Sequence, residues 1–207
     1  VAERTYLYYR LSAGSKDTHP DADVCTNPGC CTAWLSEAEA KEKWGEKFTS
    51  YEAKVQQAVT ETDGQVVLYD GAPIMAVFHS SSAGATAASG DVWAAELPYL
   101  VSVKSPESSD SVPNYYSVNT FTAEEFRTVF QKAHPDAQLS GSGDSWIGAV
   151  ARTDSGRVAT VVIGGVTVTG KELRSLYSLR SSAFTVEAGG GSVTFRVTGY
   201  GHGVGMS

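Results

Sequence analysis

A chain of 207 residues, 42% hydrophobic and 19% charged, has apolar material for one large globular domain or two small lobes. A net charge of −7 argues against nucleic acid as a main partner, because phosphate binding needs clustered Lys and Arg. No apolar run approaches the roughly 20 residues that span a bilayer, and no signal peptide precedes the fold.

Both ends read as cut, since the chain begins without Met inside a helical pattern and stops after Gly-His-Gly-Val-Gly-Met-Ser. Residues 1–11 have the pattern of the last turns of an amphipathic helix, ended by Ser12-Ala13-Gly14. Residues 19–31 follow, holding all three cysteines and one of the four histidines. His19, Cys25, Cys30 and Cys31 supply four N and S donors, and Pro20, Asp21, Asp23, Asn27, Pro28 and Gly29 fold tight turns between them. A disulfide would leave one cysteine over, and three cysteines in seven turn-rich residues are poor core filler. Zinc is the better reading. A closed four-ligand shell has no place for a catalytic water, so the metal would be structural.

Ser36 and Glu39 form a capping box for a mostly polar helix to about Lys47, with Glu37–Lys41 and Glu39–Lys43 pairs and with Trp44 and Phe48 as anchors. Thr49 and Glu52 begin another helix, to about Thr62, whose stripe of Tyr51, Val55, Ala58 and Val59 reads as a core face. Strands at Gln65–Tyr69 and Ala72–Phe78 flank an Asp70-Gly71 hairpin turn, with Pro73 on an edge. The second strand runs into the small polar loop 79–86. Residues 104–114 read as an exposed loop.

Thr122 and Glu125 box the start of a helix to about Ala133, bracketed by a Phe121–Phe126 staple, with Phe126, Val129, Phe130 and Ala133 inward. Strands at Trp146–Arg152 and Arg157–Ile163 surround Asp154-Ser155-Gly156. Thr169 and Glu172 cap a helix through Leu179 that buries Leu173, Leu176 and Tyr177. A last hairpin, Ala183–Ala188 and Ser192–Val197, turns at Gly189-Gly190-Gly191. Hairpins interleaved with capped helices, without regular strand–helix alternation, give an α+β class, here arranged around a cleft and carrying a zinc-stapled loop.

Chemistry has three candidate places. His79 opens a loop of hydroxyls and small residues, and His202 sits between glycines; a shared cleft or two structural histidines would each produce this. His134, before Pro135, fits a helix C-terminus. Asp91 and Glu96 lie among Val92, Trp93, Leu97, Pro98 and Tyr99, where a carboxyl in an apolar cleft would donate a proton and aromatic rings would stack on sugars; solvent-facing turn carboxylates are the equal alternative. No Gly-x-Ser-x-Gly elbow accompanies Ser80–Ser82, and Gly201-x-Gly-x-Gly lacks the Lys and helix of a phosphate loop.

Several segments resemble the stage II sporulation protein D and amidase-enhancer family. Val1-Ala-Glu-Arg-Thr-Tyr6 resembles the end of its Ala-Arg-Thr-Tyr helix, and His19-x-Asp-Ala-Asp-Val-Cys25 its metal segment. Phe78–Gly84, Asp91-Val92-Trp93, Pro98-Tyr99-Leu100, Leu179–Phe184 and above all Gly201–Ser207 match others, so the resemblance covers residues 1–207. It implies a lytic transglycosylase that cleaves peptide-stripped cell-wall glycan between N-acetylmuramic acid and N-acetylglucosamine, leaving 1,6-anhydro ends. It also implies zinc on His19, Cys25, Cys30 and Cys31, where relatives often carry His at the Cys30 position, and substrate contacts from His79, Ser80, Ser82, Asp91, Tyr99 and His202. The family's acid/base glutamate belongs to a Glu-Met-Pro-like segment ahead of residue 1, and Glu3 does not replace it. The implied setting is outside the cytoplasmic membrane, on an N-terminal anchor, with glycan strands, a peptide-stripping amidase and its membrane proteins as partners. The alternatives are a non-catalytic wall-binding enhancer of an amidase and a zinc-stapled binding domain with no enzymatic role.

Overall fold

The computed structural model describes residues 1–113 and 115–207. It is α+β, and the chain divides into two compact units, Val1–Val77 and Phe78–Ser207.

The first unit begins with α1 (Ala2–Ala13), which stops at Gly14. Its polar residues tie the unit together. Arg4 donates to the carbonyls of Thr62, Gln65 and Val59, the open end of a later helix, at 3.1 Å to Gln65 and 3.3 Å to Val59. The buried Thr5 hydroxyl donates to Val1 and accepts from the Val67 amide. Glu3 accepts from the Thr32 hydroxyl at 3.0 Å.

The helix α2 (Glu37–Trp44) starts at the expected capping box of Ser36 and Glu39, and the Glu37–Lys41 pair forms. Glu39 is engaged by the Ser36 amide and hydroxyl, so the expected Glu39–Lys43 pair is absent among the described residues. A 3-10 turn, Gly45–Lys47, leads straight into α3 (Phe48–Glu61). Lys47 is therefore already helical, no extended N-cap position exists, and the expected Thr49–Glu52 box does not form. Trp44 packs on Phe48 and Tyr51 with ring centroids 6.1 and 5.8 Å apart. The stripe expected to face a core is on the surface, with Val55 and Val59 each 55% exposed. Spacing identifies an apolar face and is silent on what covers it. Asp70 (φ 49°) and Gly71 (φ 81°) form the mirror-image turn of a hairpin of only two residues a side, β1 (Leu68–Tyr69) and β2 (Ala72–Pro73). Thr5, Ala40 and Ala76 are the buried residues of this unit.

In the second unit β3 (Gly84–Ala85) pairs with β4 (Lys104–Ser105), inside the stretch read as loop; residue 114 of that stretch lies outside the described residues. β5 (Tyr116–Thr122), unforeseen from the sequence, leads to α4 (Ala123–Ala133), which carries the expected Thr122–Glu125 box. Phe126 and Phe130 are buried, Val129 packs against them, and Ala133 is exposed rather than inward. The strands β6 (Ile147–Arg152), β7 (Val158–Ile163) and β8 (Val166–Thr169) make one antiparallel sheet. Here β8 is an addition, turned back at Gly164-Gly165. Thr169 caps α5 (Gly170–Leu176), which ends a turn earlier than Leu179. β9 (Phe184–Gly189) and β10 (Ser192–Thr198) turn at Gly190-Gly191, and β10 is central in the sheet β5-β10-β9.

Inward positions alternate along β10, burying Val193, Phe195 and Val197 against Phe126, Phe130, Trp146, Tyr177 and Phe184. Phe126 and Tyr177 stack 4.8 Å apart, and the Tyr177 hydroxyl donates to the Phe126 carbonyl at 2.9 Å. Each fully buried side chain of this size contributes roughly 2–3 kcal/mol. The core therefore sits in the second unit and makes a rigid base for the loops at its surface.

Candidate functional site

Two arrangements carry chemistry, one in each unit. The first is the cysteine loop. Asn27 organises it: its carbonyl accepts from the amides of Cys30 and Cys31, and its side chain accepts from Gly29 at 2.8 Å. The loop thereby turns back on itself and brings the ligand atoms of His19, Cys25, Cys30 and Cys31 within 4.8 Å of one another. His19 Nε2 lies 3.3 Å from Cys31 Sγ, and the Cys30 and Cys31 sulfurs are 4.0 Å apart. That separation is far beyond a disulfide bond, and the three thiols are free. It is close to the edge, about 3.8 Å, of a tetrahedron with thiolates about 2.3 Å from a central zinc.

The surroundings suit a cation as well. His19 Nδ1 donates to the Ala22 carbonyl at 2.7 Å, which leaves the Nε2 lone pair facing the sulfurs. Burial pushes the Cys31 thiol up, but donors from the Cys25 backbone, Tyr6, His19 and Lys16 outweigh it and hold the thiol at about 6, so it is a thiolate at neutral pH. A hydrogen bond from Thr18 likewise pushes Cys30 down. The four side chains can hold a metal ion.

The second arrangement is built by the C-terminal segment lying along residues 78–87. Ser81 and Tyr200 exchange both backbone bonds, His79 donates its amide to Met206, and Ala87 donates to Gly203. The approach is close enough to require glycine. A Cβ on Gly201 would stand 2.9 Å from His79 Cβ, and one on Gly203 would fall on the Arg157 guanidinium. His79 and His202 are thus brought together with ring centroids 5.9 Å apart, and His202 lies 5.1 Å from the Trp93 ring.

His202, Trp93 and Asp91 line a cavity of about 410 Å³ together with Arg157, Arg174 and Lys171. Of the side chains expected to touch substrate, Asp91 and His202 are here. His79 is buried behind them, its Nδ1 donating to the Val204 carbonyl at 3.2 Å. Ser82 is also buried; its hydroxyl donates to Ser105 and its amide to Glu107. Ser80 is exposed, Tyr99 is half-buried, and neither lines the cavity. Glu96 is exposed beside Gly90. His134 stands at the end of α4 with Nε2 2.8 Å from Glu172.

Arg157, Arg174 and Lys171 were not singled out from the sequence. No local pattern marks them: an arginine after a Ser-Gly turn and two cations on a short helix are ordinary surface chemistry. Glu107 was missed too. Burial pushes its carboxyl up, yet Ser207, Ser82 and Ser81 donate to it and hold it low, so it anchors the 81–82 loop.

Burial, and then the charges of His79 and Arg174, push His202 down to about 4. It is neutral at pH 7, with Nδ1 accepting from the Val204 amide at 3.1 Å. Because the folded value lies below the unfolded one of about 6.5, the stability gained is complete above about 6.5 and is lost as pH falls toward 4. Discounted for partial exposure, the contribution is roughly 1–2 kcal/mol. An NMR titration of the His202 ring is expected to show a midpoint near 4. A midpoint at the ordinary histidine value would contradict this burial.

The family model described as stage II sporulation protein, SpoIID, matches residues 1–69. The chain is 35% identical over 208 aligned residues to stage II sporulation protein D of Bacillus subtilis (strain 168), covering 100% of this chain and 58% of that protein. It is 34% identical to stage II sporulation protein D of Bacillus amyloliquefaciens, again with 58% of the relative covered. Against the amidase enhancer of Bacillus subtilis it is 40% identical over 55 residues, 27% of this chain and 8% of that protein. The chain thus spans little more than half the length of the sporulation proteins it matches. Similarity to stage II sporulation protein D therefore runs along all of this chain's residues, while the family model matches its first third.

Proposed function

We propose that the second unit holds cell-wall glycan for a lytic transglycosylase acting on strands already stripped of stem peptides. The observation that carries this reading is the cavity beside Trp93 and His202. It joins an aromatic face to the hydroxyls of Thr153, Thr169 and Ser182 and to a single carboxylate, Asp91. Sugar rings stack on aromatic faces through their C–H groups, while their hydroxyls need polar partners nearby. Asp91 is exposed, and we assign it to substrate binding with His202; the remaining expected contacts, Ser80 and Tyr99, would touch a strand running beyond the cavity.

The reaction asks little of this chain beyond binding. One acid/base carboxylate suffices, because the attacking 6-hydroxyl belongs to the muramyl residue itself. We assign that carboxylate to none of the residues of this chain. Zinc on His19, Cys25, Cys30 and Cys31 would be structural, its four protein ligands filling the tetrahedron. Action on wall glycan places the protein outside the cytoplasmic membrane, beside an amidase that removes the peptides.

The likeness to the amidase enhancer favours a second reading, a non-catalytic glycan-binding enhancer of an amidase. Digestion of peptide-free glycan strands with the full-length protein, read by mass spectrometry, separates the two. The expected products are lighter by one water than hydrolysis products, the mark of the anhydro ring. Intact strands, with the folded protein still bound to them, would select the enhancer.

A further inference from the structure

The fold leaves one charge unanswered. Arg157, immediately before β7, is 2% exposed, and none of its three guanidinium nitrogens has a hydrogen-bond partner among the described residues. The ion pairs among the described residues are Lys41–Glu37 and His134–Glu172, so no carboxylate compensates it. A buried cation without a partner is costly, and a fold that keeps one commonly uses it.

Its neighbours add to the charge instead of cancelling it. Arg174 gives its Nε to the Leu179 carbonyl at 3.3 Å, and its two terminal nitrogens have no partner among the described residues. Lys171 donates to the Val92 carbonyl at 3.1 Å and keeps two further N–H groups. Both also line an adjoining hollow of about 480 Å³ that includes Arg180, whose guanidinium lies 5.6 Å from the Tyr200 ring. Acidic residues outnumber basic ones in this chain by 23 to 16. Even so, four cations collect around these two hollows, with Asp91 the single carboxylate among their lining residues. Clustering of one sign against the overall balance marks where an anion is drawn in.

We propose that Arg157, Arg174 and Lys171 form an anion subsite for the carboxylate of an acidic sugar. Arg174 and Lys171 donate to the carboxylate oxygens. Arg157 acts from behind them, its charge strengthened by a low-dielectric wall. A sugar acid is favoured over other anions because the same cavity offers the Trp93 ring and hydroxyls. On the glycan reading, on which this identification rests, the sugar is the muramyl residue. Cleavage of its stem peptide turns a neutral amide into a free lactyl carboxylate. The subsite therefore distinguishes stripped from peptide-bearing strands by charge.

The test is calorimetric titration of the protein at low salt with N-acetylmuramic acid, its methyl ester, N-acetylglucosamine, D-lactate and inorganic phosphate. The acid is expected to bind about tenfold or more tightly than the ester or N-acetylglucosamine, and the difference to shrink as salt rises. Arg174→Gln and Lys171→Gln should remove that difference while leaving binding of the ester unchanged. Arg157→Met should do the same and remain as stable as the parent, since it deletes a charge with no partner. Equal binding of acid and ester would overturn the subsite and leave the glycan reading standing. Binding of lactate with no binding of either sugar would keep the subsite and sink the glycan reading. Phosphate bound more tightly than lactate, or no probe bound at all, would overturn the assignment to a carboxylate.

Discussion

Replacing Gly203 with alanine is expected to destabilise the second unit by about 2–4 kcal/mol. Two causes add. Gly203 sits at φ 85°, where a side chain costs on the order of 1 kcal/mol. The new Cβ would also overlap the Arg157 guanidinium, which would have to move. That group is already buried without partners, so a shift breaks the packing around it and forces either the C-terminal segment or the start of β7 outward. Gly190→Ala in the last hairpin is the control: φ is 58°, and a Cβ there meets nothing within 4 Å. It should cost about 1 kcal/mol. Urea unfolding followed by near-UV signal, which reports the aromatic core, measures both. If the two variants lose the same stability, Arg157 does not fill the space above Gly203.

Removing the metal is expected to have the second large effect, confined to the first unit. Thr5, Ala40 and Ala76 are the buried residues of that unit, too little apolar burial to hold a fold of its size by itself. A structural zinc in a small module contributes roughly 10 kcal/mol or more of apparent folding free energy. One zinc per chain is the expected stoichiometry from elemental analysis, and chelation should strip hydrogen-exchange protection from residues 16–32. Cys31→Ser should weaken zinc by more than about a hundredfold, because it removes both a ligand and the thiolate that Tyr6 and Lys16 stabilise. Protection that survives both chelation and the serine variant would show that the Asn27 turn holds the loop without metal.

What the sequence determined by itself is what a few neighbouring residues decide. The boxes at Ser36–Glu39 and Thr122–Glu125, the Asp70-Gly71 turn and the Gly190-Gly191 turn all appear where their residue types require them, because side chain and backbone meet within three positions. The cysteine loop was legible for the same reason: its four donors lie within thirteen residues and need only local turns to converge. β5 was not legible, since its apolar Tyr116 and Val118 face outward while Ser117 and Asn119 alternate with them. The α3 stripe had the right period, and its surface position depends on what packs near it.

The cavity belongs wholly to tertiary structure. Trp93, Arg157, Arg174 and His202 are spread over more than a hundred residues of sequence. They meet because two backbone segments zip together between residues 78–87 and 200–206 and close over β7 and α5. Each histidine or arginine taken singly looks like ordinary surface chemistry. Burial makes His202 neutral and leaves Arg157 without a partner among the described residues, and burial follows from the packing of distant segments.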